Sequence, residues 1–345
     1  ANNQLLAVRR PGTLITTYSY DAIGRVSTVM DASSQVSTRS YDANSNLLGI
    51  QYPVGTEWVT YSYDTLNRLK SMQDSNAITT NTYSVRGELV TQVDAGIYTL
   101  SYAYDGVGNR TLLVDPDNGR TTYTYDANNR LSTQKDPDGN VYTYQYDAVN
   151  QVTTFLMGLG TKRLFQYDVT GNRTTQIDQS SGGVPFGTLV DTYDGVGNRT
   201  NRNENSVLTT WTYDSTYQLL AQQTANAYST QTYDAAGNVL TKWEQGSNPM
   251  TFTYDVRNRI VTMLQGGTIT TYSYGGTGYL RSETIPTGVT TYVYTNSLLM
   301  TGVRFADGTR STYTYRADGK RRTAFEAGGS LTTFVWDGED YLGQY

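Results

Sequence analysis

The chain has 345 residues, 26 Lys and Arg against 31 Asp and Glu, 31 Tyr against seven Phe, and neither Cys nor His. Disulfide and thiolate chemistry are therefore excluded, and so are the commonest general base and the commonest transition-metal ligand. The net charge of −5 argues against a nucleic-acid partner, which wants a basic stripe. No apolar run approaches the ~18 residues of a membrane-spanning helix, and Ala1-Asn2-Asn3-Gln4 has no charged or apolar leader character.

In chain order, Leu5 to Arg10, Pro11-Gly12 and Thr13 to Tyr20 read as a strand, a turn and a strand, so the chain starts inside a unit. Asp21-Ala22-Ile23-Gly24-Arg25 is the first complete turn of a kind that then recurs. An aromatic stands before this turn at Tyr20, Tyr41, Tyr63, Tyr83, Tyr104, Tyr125, Tyr146, Tyr167, Tyr193, Tyr213, Tyr233, Tyr254, Tyr274, Tyr294, Tyr315 and Trp336. That makes 16 copies, 12 of them followed by Asp, with spacings of 20 to 22 residues and a single one of 26. Self-similarity at such a period sets the fold before any site is sought. The 26-residue step, around 179–190, contains Ser180-Ser181-Gly182-Gly183-Val184-Pro185, a loop composition, and predicts a longer connection there. The Asp slot is vacated at Ser84, Gly275, Thr295 and Arg316. The chain stops a few residues past Trp336, again inside a unit.

The clearest copy runs from Thr122. Tyr123 and Tyr125 alternate with Thr122 and Thr124, the period of a strand. Asp126-Ala127-Asn128-Asn129 is a turn, Arg130 to Lys135 a return strand, and Asp136-Pro137-Asp138-Gly139 a second turn. Three residues after the Asp slot stands Gly or Asn in 12 of 16 copies, the residues that accept positive φ most cheaply. The Asp reads as an Asx clamp across the turn. The candidate structural turn residues are Tyr104, Asp105 and Gly108; Tyr125, Asp126 and Asn129; Tyr167, Asp168 and Gly171; Tyr193, Asp194 and Gly197; and Tyr233, Asp234 and Gly237. A second aromatic lies two residues before the first in 12 of 16 copies, on the same strand face, with Thr or Ser on the other.

Paired carboxylates such as Asp115/Asp117 and Asp136/Asp138 could ligate calcium or carry acid–base work. They fall on turn positions and lack the other ligands of a calcium loop, so they read as turn clamps. Asn109-Arg110-Thr111, Asn172-Arg173-Thr174 and Asn198-Arg199-Thr200 are glycosylation sequons produced by the repeat itself. No catalytic, cofactor-binding or metal residue is assigned, and no cofactor is expected.

The runs Tyr104-Asp105-Gly106-Val107-Gly108-Asn109-Arg110 and Tyr233-Asp234-Ala235-Ala236-Gly237-Asn238-Val239 resemble the YD repeat of the RHS family, and Asp136-Pro137-Asp138-Gly139-Asn140 resembles its inter-repeat turn. The resemblance covers essentially the whole chain. It implies an all-β fold: about 16 YD-type hairpins in one long antiparallel sheet that curls into a spiral shell or open ring, with 1–345 a single array. In the family, which includes bacterial polymorphic toxins, cocoon subunits of insecticidal toxin complexes and teneurins, such shells enclose or present another polypeptide. The resemblance therefore implies a non-enzymatic, structural shell or scaffold segment of a bacterial secreted or cell-surface protein. Its expected partners are the rest of a longer RHS polypeptide, an encapsulated C-terminal domain, or further copies through the sheet edges, up to a filament. The alternative is an extracellular adhesion or recognition module for carbohydrate or protein. The chain has no match to the family's DPxGLxGG-type cleavage segment. About 32 strands at ~4.8 Å make a strip ~150 Å wide, enough for about one turn.

Overall fold

The computed structural model describes residues 4–10, 14–53 and 57–344. Among them there is no helix, and hence none long and apolar enough to cross a membrane. The described residues form 33 strands, from Ala7–Arg10 to Asp340–Gln344, and within each unit consecutive strands pair antiparallel. The count agrees with 16 hairpins read from the sequence. The chain divides into two compact units, a middle unit of 101–251 and a split unit of 1–100 with 252–345.

Two kinds of turn alternate, so each kind lies on its own rim of the sheet. The Tyr-Asp turns form one rim, and the return turns between repeats form the other. Next to each regular Tyr-Asp turn the ladder shifts by one residue, as between Thr124 and Tyr125, where Tyr125 faces Leu131. This is a β-bulge closing a type I turn with a left-handed residue, a common hairpin closure.

In the middle unit the strand Arg120–Tyr125 alternates exposed and half-buried residues, with Tyr123 and Tyr125 on the covered face. Tyr102 pairs with Leu113 there, and both are buried. On the opposite face Thr124 pairs its hydroxyl with Thr133 at 2.6 Å, and Thr232 with Thr241 at 2.7 Å. The alternation thus separates an aromatic face from a hydroxyl face, and both are stitched across strands.

The 26-residue step differs from its sequence reading. The return turn there has ordinary geometry, with Ser180 N–H donating to Val184 O at 2.9 Å. The extra residues instead lengthen the flanking strands, to seven residues in Arg173–Gln179 and nine in Pro185–Tyr193. The ladder could absorb them because Thr188 and Leu189 continue the pairing beyond a bulge at Asp178/Gln179.

The split unit has its own core of Val303, Tyr313 and Ala324, flanked by Tyr292, Met300 and Phe334. Here residues far apart in sequence meet rim to rim. A side chain at Gly276 would collide with Ser33. Glu57 binds the turn at Asn296 and Ser297, and Arg322 lies between Asp74 and Asp94. The residues so joined by hydrogen bonds are 224 to 248 positions apart.

Candidate functional site

Each Tyr-Asp turn is a small machine for joining hairpins. Asp126 Oδ1 accepts the N–H groups of Asn128 and Arg130 at 2.9 and 3.0 Å. Asp105, Asp168, Asp194 and Asp234 do the same within their own turns. The second carboxylate oxygen takes the side chain four residues on. Asn109 Nδ2 donates to Asp105 at 3.0 Å, and Arg130 Nε to Asp126 at 2.7 Å. The left-handed slot is filled by Gly108, Asn129, Gly171, Gly197 and Gly237, at φ of 94°, 59°, 90°, 92° and 85°.

At Gly197 nothing lies within 4 Å of where a Cβ would sit, so only the backbone conformation selects glycine. Gly197→Val should therefore destabilise by about 1–2 kcal/mol, the left-handed cost for an L-residue, read as a lowered melting temperature. An unchanged melting temperature would contradict it.

The tyrosine before each turn reaches backwards. Tyr125 OH donates to Arg110 O, Tyr146 OH to Leu131 O and Tyr167 OH to Val152 O, each at 2.8 Å. Tyr193 OH reaches Arg173 O at 2.9 Å, and Tyr233 OH reaches Leu219 O at 2.7 Å. Trp336 does the same with its indole N–H, to Arg321 O at 2.7 Å. Tyr104 sits at its bulge opposite Arg110. A phenylalanine would leave this carbonyl without its donor, which explains why the slot is tyrosine or tryptophan. Arginine reaches forwards. Arg130 donates to Asp147 O at 3.1 Å and lies 4.6 Å over the Tyr146 ring. Arg25 and Arg68 repeat this on Tyr41 and Tyr83. Where arginine follows the turn, as at Arg130, consecutive hairpins are thus locked in both directions by hydrogen bonds and cation–π contact.

These bonds favour the ionised turn aspartates. At Asp105 the Asn109 amide leads, with backbone N–H groups adding, and the pKa falls below the usual range despite opposing desolvation. Asp168, bound first by the Thr170 hydroxyl and then by the Asn172 amide, is lowered to about 2. A lowered folded pKa gives stability that is present above the unfolded value of ~3.9 and is lost as pH falls through the folded one. The melting temperature should fall steadily from about pH 5 to about pH 2. Carboxyl NMR should place Asp168's midpoint near 2. A flat profile would contradict this.

The other turn candidates have equally local uses. Asp115 accepts from Asp117 and Gly119 N–H, and Asp136 from Asn140 and the Tyr142 hydroxyl. The sequon amides of Asn109, Asn172 and Asn198 are occupied by their turn aspartates at 3.0, 3.0 and 2.9 Å. Among the described residues no cluster of three or more His, Cys, Asp or Glu is arranged to hold a metal. The Tyr-Asp residues line a rim one turn at a time; Asp168, Tyr193, Asp194 and Gly197 share a cavity of about 600 Å³ between two consecutive turns.

Distant segments converge at the seam of the split unit, which sequence reasoning did not single out. Arg322, 7% exposed in its side chain, lies 3.2 Å from Asp74 and 3.4 Å from Asp94, both similarly buried. Thr79 Oγ1 donates to Asp94 at 2.7 Å. Burial works against the Arg322 charge, but the hydrogen bonds and fields of Asp74 and Asp94 outweigh it and raise its pKa. Beside it, Arg316 reaches Asp318 at 3.1 Å. Arg316 and Arg322 each leave a buried Nε without a hydrogen-bond partner. Glu57 accepts Asn296 N–H at 2.6 Å, Ser297 N–H at 3.1 Å and the Ser297 hydroxyl at 2.6 Å. That turn carries Thr295 in place of Asp, so a carboxylate from a distant return turn supplies what it lacks. A cavity of about 260 Å³ follows the seam between Glu57, Asp74, Thr295 and Arg316. Its carboxylates are tied to arginine and turn N–H groups, an arrangement that joins surfaces.

The middle unit holds a second buried charge cluster. Asp191, with a fully buried side chain, receives Arg202 through two bonds of 2.8 and 2.9 Å and lies 3.2 Å from Arg199. It occupies the slot two before Tyr193, where twelve copies carry an aromatic.

With this geometry in place, residues 8–142 match the teneurin YD-shell family profile. Over that span the repeats are of the YD-shell type. No curated protein sequence matches it. Among solved structures, this YD-repeat chain is similar to a chain of the Photorhabdus luminescens Tc holotoxin pore, at TM-score 0.78 and 17% identity over 96% of this chain and 20% of that one. It is also similar to TcdB2-TccC3 without its hypervariable C-terminal region, at TM-score 0.70 and 15% identity over 96% and 22%. The TcdB2-TccC3-TEV structure matches at TM-score 0.68 and 16% identity, over 97% and 20%. At these identities the likeness is one of fold, and the YD-repeat chain spans about a fifth of the chains it matches.

Proposed function

We propose that this chain is a structural wall segment of a YD-repeat shell, in a secreted or cell-surface protein, and that the shell it contributes to encloses or presents another polypeptide. The turn residues at Tyr104–Gly108, Tyr125–Asn129, Tyr167–Gly171, Tyr193–Gly197 and Tyr233–Gly237 act as staples between hairpins, within a single array over 1–345. The observation that carries the reading is the lock between consecutive turns, with the Tyr146 hydroxyl reaching back to Leu131 O and Arg130 reaching forward to Asp147 O, and with the backward tyrosine bond repeated at Tyr125, Tyr167, Tyr193 and Tyr233. Such a lock fixes one hairpin against the next. Electron cryo-microscopy of the purified chain tests it. A curved single-layer wall bounding a solvent-filled space is the expected result; a flat sheet, or a solid body without such a space, would overturn it.

A further inference from the structure

On the hydroxyl face, the rung beside a Tyr-Asp turn is ordinarily closed by two side chains. Ser62 pairs with Ser71 at 2.6 Å, Thr82 with Thr91 at 2.5 Å and Thr253 with Thr262 at 2.6 Å. Beside the turn after Tyr41 the rung is open. Ser40 faces Gly49, and Gly49 faces Thr60 on the next strand. The Ser40 hydroxyl thereby loses its usual partner. A Cβ at Gly49 would stand 3.0 Å from Val59 O and 3.6 Å from both Ser40 Oγ and Thr60 Cγ2, so any side chain here would enter the gap. Gly302 and Gly343 occupy the same slot in other copies, but they face Val293 and Val335, which offer no hydroxyl.

The next rung on this face carries Trp58, opposite Gln51. No other copy has tryptophan five places before its repeat aromatic. The one other aromatic in that slot, Tyr228, is packed against Trp243 with ring centroids 6.2 Å apart. Thr38, Ser40, Gly49, Trp58, Thr60 and Gln73 line an open cavity of about 600 Å³. None of these six is charged, and Arg39 in the same strand alternates onto the other face. The half-buried indole offers a flat apolar surface, and the hydroxyls and the amide around it can both donate and accept. A charged ligand would find no counter-ion among them, and an apolar one would cover the hydroxyls without satisfying them. The complementary shape is a ring with an apolar C–H face and a rim of neutral hydroxyls. We propose that this cavity is a binding site for a neutral hexose, with the ring stacked on Trp58 and its hydroxyls in the gap over Gly49, bonded to Ser40 and Thr60. The site lies on the hydroxyl face and does not depend on the shell being closed or filled.

The chain has four tryptophans, so NMR of the indole N–H groups tests it directly. The probes are methyl α-glucoside, methyl α-mannoside and methyl β-galactoside, and the Trp58 resonance is identified by its loss in Trp58→Ala. At least one of the three sugars should move the Trp58 resonance saturably and leave those of Trp211, Trp243 and Trp336 in place. Gly49→Thr keeps Trp58 but closes the rung as in other copies, and should weaken that sugar's binding by about tenfold. Ser40→Ala, which leaves the backbone untouched, should weaken it severalfold, and circular dichroism checks that both variants keep the β-sheet. The proposal is overturned if none of the three sugars moves the Trp58 resonance, or if both variants bind like the native chain. It is equally overturned if galactose 6-sulfate binds more tightly than the neutral galactoside.

Discussion

Arg322→Ala should destabilise the split unit by about 3–5 kcal/mol, the usual cost of stranding buried charges by removing one partner. The substitution leaves the Asp74 and Asp94 carboxylates, both about 10% exposed or less, facing each other without a cation. Hydrogen exchange should report the loss locally, with faster exchange in 57–98 and 295–325 and little change in 101–251. A second change separates charge from packing. Adding Asp74→Asn and Asp94→Asn to Arg322→Met removes all three charges at similar volume, and most of the stability should return. If Arg322→Ala melts like the native chain, or if exchange rises uniformly, the seam does not hold the two segments together.

Asp191→Ala should cost the middle unit about 1.5–3 kcal/mol, because Arg202 and Arg199, 24% and 35% exposed, lose the carboxylate between them but keep access to water. The repeat itself suggests the rescue. At the equivalent rungs Tyr123 faces Gln134, Phe165 faces Gln176 and Trp211 faces Gln222, whereas Asp191 faces Arg202. Asp191→Tyr with Arg202→Gln recreates the common rung and should recover most of the loss, as replacing a buried ion pair by well-packed groups often does. Urea unfolding of the single and double variants measures both. A double variant as weak as Asp191→Ala would show that this rung needs its charges.

Much of the fold was legible because repetition amplifies local signals. Strand alternation, the Gly or Asn at the left-handed slot and the Asp before it recur often enough to identify every regular Tyr-Asp turn. The excess of Tyr over Phe was legible as a demand for amphipathic rings. Its cause, a hydroxyl bond to the preceding hairpin, needed coordinates, since the acceptor is a main-chain carbonyl that any residue supplies. The 26-residue step misled because Ser180 to Gly183 has loop composition while the added length lies in the strands after it. The seam left a faint mark: three of the four copies that lack Asp, at Gly275, Thr295 and Arg316, lie at or beside it. A departure from a repeat shows that a position answers to something else, but not to what. The partners, Ser33, Glu57 and Asp74, are ordinary polar residues more than 200 positions away.

The seam also constrains how such a gene can change. Ser33 follows the first aromatic, Tyr20, and meets the turn of the thirteenth, Tyr274; Glu57 follows the second, Tyr41, and meets the turn of the fourteenth, Tyr294. Asp74 follows the third, Tyr63, and meets the strand after the fifteenth, Tyr315. These three contacts join a copy to the one twelve later, and Arg322 also touches Asp94, eleven copies before it. Tandem arrays ordinarily gain and lose copies through unequal recombination, and each hairpin here could be duplicated without harm to its neighbours. One copy inserted between residues 100 and 252 would bring Glu57 to the wrong turn and Arg322 to the wrong carboxylates at once. The spacing of these contacts therefore holds the copy number between them.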